Sequence, residues 1–368
     1  MQIRLRTFLC MGYTVSWCQM EMRIVMKKPL IITMGDPTGV GPEIILQGLC
    51  SGAFTGLARP LVVAGDLAVL QRAASVCGFD ARLRSGSPLA LASDELLLGN
   101  NVLPVRALSR LDLAQQEYGH PQPDAGRAMA EYISWACDAC IAGDAAGMVT
   151  APINKQALKA GGADFPGHTE LLAARCQVDE VVMMLAGERL RVCLVTTHCA
   201  LREVPQRLTA QRILTTLRIA SASLQKQFGL KQPRLAVLAL NPHAGEGGLF
   251  GDEEQRHIVP AIEAARAEGL VASGPHSADT LFWFAAQGHY DAVICMYHDQ
   301  GLIPLKLLHF DDGVNVTLGL PIVRTSVDHG TAYDLAGTGQ ANAASLIAAV
   351  KMAAEMADKQ ERGTRDAE

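Results

Sequence analysis

The chain has 368 residues, of which 49% are hydrophobic and 19% are charged, and its formal net charge is −5. This composition supplies enough apolar side chains for a large core and excludes general disorder, while the length favours two packed subdomains. Without clustered Lys and Arg or an apolar run of membrane-spanning length, we expect neither a nucleic-acid nor a membrane partner.

Residues 1–25 differ from the rest of the chain. Arg4 and Arg6 precede a stretch that polar residues interrupt, and no cleavage site of small residues follows. We interpret this segment as an extension that an over-long start assignment added, with a targeting segment as the alternative. A coherent protein begins near Met26.

From there, short apolar runs alternate with helical patterns. The strands are predicted at 29–34, 60–64, 147–150, 181–185, 191–196, 234–240, 291–296 and 314–318. The helices are predicted at 42–49, 125–142, 210–228, 252–268 and 341–357. Strands rich in Val, Ile and Leu predict an α/β fold whose mainly parallel sheet is covered on both faces. Because no low-complexity linker is present, we expect two subdomains that share a continuous sheet or pack closely.

The ten cysteines lack the spacing of a disulfide scaffold, which favours a reducing, cytoplasmic location. Cys137 and Cys140 form a C-x-x-C inside a helical pattern, but no second pair accompanies them. We therefore interpret this pair as structural rather than as a metal or redox site.

Polar residues follow four of the predicted strands. Three of these strands deliver a histidine, at His198, His243 and His298, and the fourth leads into Asn154 and Lys155. The carboxyl ends of parallel strands line the ligand crevice of an open sheet. Three imidazoles there predict a catalytic metal site, with zinc first and other first-row metals as alternatives. The competing interpretation is that each histidine only ends its strand.

Two glycine-rich segments adjoin strands. In residues 35–43, Pro42 and Glu43 suit a helix start, so the turn either faces an anionic ligand or is purely structural. This segment is neither a Rossmann nor a Walker motif. In residues 241–248, Gly245 and Gly247 would let the backbone approach a substrate or cofactor closely.

Polar residues also interrupt apolar stretches near the carboxyl end. Lys306 and Arg324 are cations that are costly to bury alone, so they suggest a bound phosphate or carboxylate, with a structural ion pair as the alternative. Asn315 lies between them. Upstream, His168 and Thr169 belong to a loop that leads into a helix, where Thr169 is a plausible cap.

Eight motifs together carry a family resemblance. They are GDPTGVGPE (35–43), TAPINK (150–155), PGHTE (166–170), TTH (196–198), NPHAGEGG (241–248), MYHDQG (296–301), GVNVTLGLP (313–321) and RTSVDHGTA (324–332). In this order and spacing they resemble the 4-hydroxythreonine-4-phosphate dehydrogenases. The resemblance implies an isocitrate/isopropylmalate dehydrogenase-like α/β fold, with two subdomains, a cleft between them and an obligate homodimer. We assign 26–155 plus 322–360 to the first subdomain, 156–321 to the second with the dimer interface, and 361–368 to a polar tail.

The resemblance also implies the site residues. The ligands of a divalent metal, with Zn²⁺ first and Mg²⁺ or Co²⁺ as alternatives, would be His198, His243 and, from the partner chain, His298. The substrate would contact His168, Thr169, Lys306, Asn315 and Arg324. The cofactor, NAD or NADP, would contact Gly245, Gly247, His329, Gly330, Asp334 and Gly337. The last four lie in a stretch, 329–342, that is similar to the one wrapping the adenosine end of NAD in isopropylmalate dehydrogenases. Lys306 and Asp279 are the catalytic candidates, and the general base stays open.

The implied reaction is NAD(P)-dependent oxidation of 4-phosphooxy-L-threonine to 2-amino-3-oxo-4-phosphooxybutanoate. This product decarboxylates to 3-amino-2-oxopropyl phosphate in pyridoxine 5'-phosphate biosynthesis. Relatives in the family act on 4-phospho-D-threonate, on 4-phospho-D-erythronate or on aromatic cis-diols, and residues 305–316 are compatible with the phospho-sugar acids. Phosphate acetyltransferases are an alternative enzyme class with the same fold, but their reaction would not require the three histidines that follow the strands. A non-enzymatic metal sensor is the remote alternative.

Overall fold

The computed structural model of the chain describes residues 27–365, so the extension assigned to 1–25 lies outside it. The strands are β1 (Leu30–Thr33), β2 (Leu61–Gly65), β3 (Ala81–Ser85), β4 (Asp94–Leu98), β5 (Asn101–Ala107), β6 (Gly147–Thr150), β7 (Val182–Ala186), β8 (Arg191–Leu194), β9 (Leu235–Leu238), β10 (Ala272–His276), β11 (Ala292–Cys295), β12 (Val314–Leu318) and β13 (Arg324–Val327). The helices are α1 (Gly41–Cys50), α2 (Leu67–Val76), α3 (Pro123–Ile141), α4 (Lys155–Ala160), α5 (His168–Arg175), α6 (Val204–Arg207), α7 (Ala210–Phe228), α8 (Val259–Ala267), α9 (Ala278–Ala285), α10 (His298–Leu308) and α11 (Ala344–Arg365).

All eight predicted strands and all five predicted helices have counterparts, and a π-helix, Glu254–Ile258, precedes α8. The sequence does not predict β3, β4, β5, β10 or β13. β3 is an exposed edge strand with little apolar signal, and β13 begins with Arg324 and continues with two hydroxyl residues. Both strands lack the apolar run on which the strand prediction depends.

The strands form one continuous sheet in the order β10-β9-β11-β8-β7-β12-β13-β6-β1-β2-β5-β4-β3. Strands β1, β6, β9 and β11 are buried along their whole length, so both faces of the sheet are covered. One apolar cluster includes side chains from near both ends of the sheet, such as Leu98 in β4 and Ala272 in β10. The expected α/β class and the continuous sheet are therefore confirmed.

The sheet reverses direction near its middle. Strand β12 pairs antiparallel with β13 and with β7, and β7 pairs antiparallel with β8. The parallel strands β8, β11, β9 and β10 therefore run in the opposite sense to β13, β6, β1, β2 and β5. The expectation that all four of these strands run parallel is thus wrong, because β8, β9 and β11 share a direction and β6 runs the opposite way.

Helix α11 joins the two groups of strands. It packs against α7 on one side and against α1, β1, β6 and β13 on the other. Near its end, Asp358 and Glu361 accept hydrogen bonds from Arg59, at 2.7 and 2.9 Å, and the Arg59 side chain is only 1% exposed. The helix continues to Arg365, so its last turns lie within the segment assigned to the polar tail. The subdomain boundaries stay a prediction.

Among residues 27–365, no helix combines the length and hydropathy that crossing a membrane requires.

Candidate functional site

Three neighbouring parallel strands place the candidate metal ligands. His198 follows β8, His298 begins the helix after β11, and His243 follows β9, and these strands are adjacent in the sheet. We call this region the histidine edge. The rings of His198 and His298 lie with their centroids 5.5 Å apart. Both rings line a cavity of about 320 Å³ together with Tyr297 and Leu201.

The electrostatics of the histidine edge favour a neutral imidazole at His198. Partial burial, followed by the positive charges of Lys155 and His298, lowers the pKa of His198. The Nδ1 of His298 lies 2.8 Å from Asp299 Oδ1. When Nδ1 donates to that carboxylate, Nε2 keeps its lone pair, which is the usual arrangement behind a metal-binding histidine. The residues present therefore fit a divalent cation chemically.

The third histidine stands on a strained loop. His243, Ala244 and Glu246 all have positive φ, at 52°, 54° and 43°, which is uncommon for residues other than glycine. Gly245, at φ 77°, could not carry a Cβ because this atom would lie 2.7 Å from the Glu254 carboxylate. That buried carboxylate accepts the backbone N–H groups of residues 240 and 241, each at 2.8 Å, and so anchors the loop.

A single chain does not bring the three histidines together. His243 is exposed, and its ring lies tilted beside Phe250, with centroids 6.3 Å apart, rather than near the other two rings. Within residues 27–365, no three His, Cys, Asp or Glu side chains lie close enough to hold a metal ion. The cofactor candidate Gly247 lies on the same loop, exposed and at φ 66°.

The substrate candidates converge on a polar patch at the centre of the sheet. Arg324 in β13 is 2% exposed, and its guanidinium donates to Thr317 Oγ1 at 2.8 Å and to Thr150 Oγ1 at 2.7 Å. Asn315 lies on the same face of β12 as Thr317 because side chains alternate along a strand. Within the described part of the chain, no carboxylate pairs with Arg324, and its Nε has no hydrogen-bond partner. Burial lowers its pKa to about 10, so it stays cationic at neutral pH.

His168 opens α5 beside this cation. Burial, followed by the charges of Arg324 and Lys155, holds the pKa of His168 well below its usual value, so the imidazole is neutral. Its buried Nε2 has no partner among the described residues. Thr169 is the second residue of α5, whose N-cap is Gly167, so the expectation that Thr169 caps this helix is wrong; Thr169 is partly exposed. An unpaired buried cation beside an unpaired buried imidazole nitrogen makes a site for an anionic, hydrogen-bonding ligand.

The two catalytic candidates are less connected to this patch. Lys306 on α10 forms an ion pair with Asp328 at 2.9 Å, so the structural alternative raised for this cation is present. Its side chain is still 38% exposed and free to contact a ligand. Asp279 is exposed in the first turn of α9. Within residues 27–365, no hydrogen bond or ion pair connects it to the other candidates.

The segment that leads into α1 organises the predicted adenosine loop, 329–342. Fully buried Glu43 accepts the N–H groups of Gly337 and Gly339 at 2.6 and 2.9 Å, and fully buried Asp36 accepts the Tyr333 hydroxyl at 2.6 Å. We call Asp36, Glu43 and Tyr333 the loop clamp. Its carboxylates point at protein groups, which supports the structural interpretation of the glycine-rich turn over anion binding.

The loop clamp leaves the outer side of the adenosine loop open. His329, Gly330 and Asp334 are exposed, and His329 Nδ1 lies 2.9 Å from the Gly330 carbonyl oxygen. Gly337 is held closer in, because a Cβ there would lie 2.5 Å from the Tyr118 ring. The exposed cofactor candidates are therefore accessible on a fixed backbone.

Lys155 and the loop clamp are residues whose roles the sequence alone does not assign. The charge of Lys155 lowers the pKa of both His168 and His198, so it lies within electrostatic reach of the substrate patch and of the histidine edge. In the sequence, the only indication of this role is that Lys155 follows the fourth of the strands that end in polar residues. The role of Asp36 and Glu43 is harder to predict from the sequence, because acidic residues near the start of a helix are favourable there without any such contact.

Comparisons with known proteins agree on one family. The family described as "Pyridoxal phosphate biosynthetic protein PdxA" matches residues 56–353. A 4-hydroxythreonine-4-phosphate dehydrogenase of Geobacter metallireducens is 57% identical over 331 residues, covering 90% of this chain and 96% of its relative. A crystal structure of a 4-hydroxythreonine-4-phosphate dehydrogenase from Klebsiella pneumoniae is similar with a TM-score of 0.82 at 42% identity, covering 90% of this chain and 100% of that one. A protein of Symbiobacterium thermophilum, provisionally named a D-threonate 4-phosphate dehydrogenase, is 43% identical over 90% of this chain and 97% of its own.

Proposed function

The chain belongs to the family of pyridoxal phosphate biosynthetic proteins PdxA, and from this premise we propose that it is an NAD(P)-linked, metal-dependent dehydrogenase of 4-phosphooxy-L-threonine. It oxidises the secondary alcohol to 2-amino-3-oxo-4-phosphooxybutanoate, and this β-keto acid loses CO₂ to give 3-amino-2-oxopropyl phosphate. The free thiols among the described cysteines are consistent with a reducing cytoplasm as its location.

The observation that carries this proposal is the buried Arg324. A guanidinium surrounded only by hydroxyl groups is costly to bury, and an anionic substrate group supplies the missing partner. Arg324 binds one anionic end of the substrate, and Asn315 and Thr169 orient its polar groups. Neutral His168 contributes a hydrogen bond from its unpaired Nε2 without adding a further charge.

The histidine edge is the proposed metal site. His198 and His298, with His243, would hold a divalent cation, for which Zn²⁺ suits the imidazole donors best and Mg²⁺ or Co²⁺ are alternatives. When bound, the cation would act as a Lewis acid on the substrate's alcohol oxygen. Lys306 and Asp279 are the residues that we propose for proton transfer, and Asp328 holds the Lys306 Nζ in position at 2.9 Å.

The adenosine loop is the proposed cofactor site. His329, Gly330, Asp334 and Gly337 would contact NAD or NADP, with Gly245 and Gly247 on the opposite loop. The cofactor would accept the hydride from the substrate carbon. The loop clamp lowers the entropic cost of binding because the loop backbone is already ordered before the cofactor arrives.

The proposed enzyme is a homodimer with the site shared between chains. Large apolar side chains are exposed on the segments that follow β8, β9 and β11 and on α9, which precedes β11. They are Leu201 (69%), Leu249 (73%), Trp283 (64%), Ile303 (67%), Leu307 (85%) and Phe310 (77%). A second copy that covered these side chains would bring its own histidines to the edge. His298 from the partner chain, as the family resemblance implies, would then complete the metal site with His198 and His243.

A phospho-sugar acid is the second candidate substrate. The Symbiobacterium relative is named for D-threonate 4-phosphate, and 4-phospho-D-threonate or 4-phospho-D-erythronate presents the same phosphate, carboxylate and secondary alcohol. These acids lack the amino group, so the comparison of rates on the three substrates decides between the two functions.

The test is NADH or NADPH formation by purified protein on 4-phosphooxy-L-threonine, 4-phospho-D-threonate and 4-phospho-D-erythronate. Zinc, magnesium and cobalt are each added, and a chelated sample is the control. We expect turnover of the amino acid with release of CO₂, loss of the rate on chelation and its recovery on adding metal. Turnover of only the phospho-sugar acids would replace the first substrate with the second. Turnover of none of the three would contradict the dehydrogenase proposal.

A further inference from the structure

Two thiols meet where the end of α5 packs on α3. Cys137 is fully buried in α3, and Cys176 directly follows α5 and is partly exposed. Their sulfur atoms are 3.7 Å apart. The neighbouring residues Asp138 and Arg175 form an ion pair across the same contact. Two side-by-side contacts therefore hold the carboxyl end of α5 against α3.

The two thiols have different chemical character. The hydrogen bond from Cys137 lowers the pKa of Cys176, and the Arg175 guanidinium lowers it further. The same sulfur contact and burial raise the pKa of Cys137. Cys176 therefore carries the greater thiolate character and is reachable from solvent, while Cys137 is shielded but adjacent. This is the division of roles between an attacking and a resolving cysteine.

We propose that Cys137 and Cys176 form a peroxide-sensitive thiol pair that closes to a disulfide. The Cys176 thiolate attacks one oxygen of hydrogen peroxide, the O–O bond breaks, and a proton converts the departing hydroxide to water, which leaves a sulfenic acid. The Cys137 sulfur then attacks the Cys176 sulfur, an S–S bond forms as the S–O bond of the sulfenic acid breaks, and the departing hydroxyl leaves as water with the Cys137 proton. The two sulfurs are oxidised together by two electrons, and the peroxide is reduced.

The position of the pair connects it to the proposed substrate site. Helix α5 begins at His168 and Thr169 and ends at Arg175, so a bond at Cys176 fixes the helix that carries two substrate contacts. The sulfur atoms must approach from 3.7 Å to about 2 Å for the bond to form. Because productive geometry tolerates displacements of only about 0.5 Å, we expect oxidation to raise the KM for the substrate several-fold and to leave the KM for NAD unchanged. This second expectation rests on the proposed function, whereas the disulfide itself does not.

The experiment uses the full reduced chain, treated with hydrogen peroxide, blocked with N-ethylmaleimide and digested without reductant. We expect one cross-linked peptide pair joining Cys137 to Cys176, which dithiothreitol separates. Cys176→Ser should remove this pair, and Cys137→Ser should leave a sulfenic acid on Cys176 that dimedone traps. Cys140→Ser is the matched control, one turn along α3, and should leave the cross-link intact.

Both cysteines recovered as maleimide adducts after peroxide would overturn the proposal. A cross-link through Cys140 in place of Cys137 would overturn it equally. Because peptide mass reports the bond without any assay of turnover, failure of the thiol pair is distinguishable from failure of the proposed dehydrogenase activity.

Discussion

The loop clamp and the histidine edge lie in the same chain but differ in how completely one chain satisfies them. In the loop clamp, Asp36 and Glu43 are fully buried, and protein donors within 2.9 Å reach both. In the histidine edge, His243 is exposed and separate from the other two rings, and large apolar side chains surround the region. A region whose buried polar groups all have hydrogen-bond partners within the chain needs no further ligand or subunit to complete it. A region with open donors and exposed apolar surface is one that a second chain can complete, as we propose for the histidine edge.

The largest expected effect is at the open region, where His243→Ala should lower kcat/KM more than about a thousandfold. Loss of a ligand exceeds the 10–100-fold effect of residues that only support one. The measurement is NADH formation together with the bound metal content. His289→Ala is the control because this histidine is also exposed but precedes β11, at the opposite end of that strand from His298. Metal content that stays at the wild-type level in His243→Ala would remove it from the ligand set.

A charge introduced into the exposed apolar surface around the histidine edge should disrupt the proposed dimer. Leu307→Arg should weaken dimerisation by at least about a hundredfold, because burying an unpaired guanidinium costs several kcal/mol. Sedimentation velocity measures the dimer, and metal affinity should fall in parallel. Leu83→Arg changes a leucine that is 47% exposed on the edge strand β3 and should alter neither quantity. A monomeric Leu307→Arg protein with full metal affinity and activity would contradict the shared site.

The polar patch stands between the loop clamp and the histidine edge, because the chain supplies hydrogen-bond partners for only some of its polar groups. Arg324→Met should raise the KM for the phosphorylated substrate and lower kcat/KM by about a hundredfold, because charge-assisted hydrogen bonds are worth about 1.5–3 kcal/mol each. Steady-state kinetics with the phosphorylated substrate and with NAD varied in turn measures this. Arg324→Lys should recover only part of the lost kcat/KM, because lysine lacks the planar guanidinium that can form two parallel hydrogen bonds. Exposed Arg218→Met is the control. An unchanged substrate KM would show that Arg324 serves only the sheet.

The loop clamp should respond mainly through the cofactor. Glu43→Gln turns one of two buried acceptors into a donor that faces a backbone N–H, so we expect the KM for NAD to rise about tenfold. The substrate KM and metal content should stay unchanged, and a thermal melt should report a loss of about 1–3 kcal/mol. Glu131→Gln on the exposed face of α3 is the matched control. A raised substrate KM with normal cofactor binding would contradict the clamp's role.

The smallest effect concerns the link between Arg59 and α11. The hydrogen bond from Arg59 lowers the pKa of Glu361 below its ordinary 4.5. The stabilisation is therefore fully present above pH 4.5 and is lost as the pH falls through the lower folded pKa. Because Glu361 is about one third exposed, Glu361→Gln should lower the free energy of unfolding at pH 7 by only roughly 0.5 kcal/mol. Urea unfolding at several pH values should show this difference vanish in acid, whereas exposed Glu263→Gln should show none.

The sequence predicts the fold best where a strand is a plain apolar run. β1, β9 and β11 are found for this reason, and so is the delivery of a histidine by each of β8, β9 and β11. β13 is not predicted because it begins with the cation Arg324 and continues with two hydroxyl residues, so it lacks an apolar run. The reversal of strand direction at β12 and β7 is not predicted either, because a strand has the same apolar periodicity whether its neighbours are parallel or antiparallel.

The histidine edge is predictable only as far as its residues stand at strand ends. His198 and His298 converge as expected, but the orientation of His243 depends on a left-handed loop that Glu254 holds from a π-helix downstream. The Lys306–Asp328 pair and the loop clamp join residues that are 22 and nearly 300 positions apart. No local pattern specifies such contacts.

The position of β13 and α11 has a consequence for biosynthesis. β13 is the strand that connects β12 to β6, and α11 covers the junction, yet both follow all the other described strands in the order of synthesis. Until they emerge, the edges of β6 and β12 are unpaired and prone to join other chains. Closure is therefore a late, long-range event, and such events are slow. A chain that stalled before Arg324 would hold nearly all of its core residues and still present two open sheet edges to the cell's quality control.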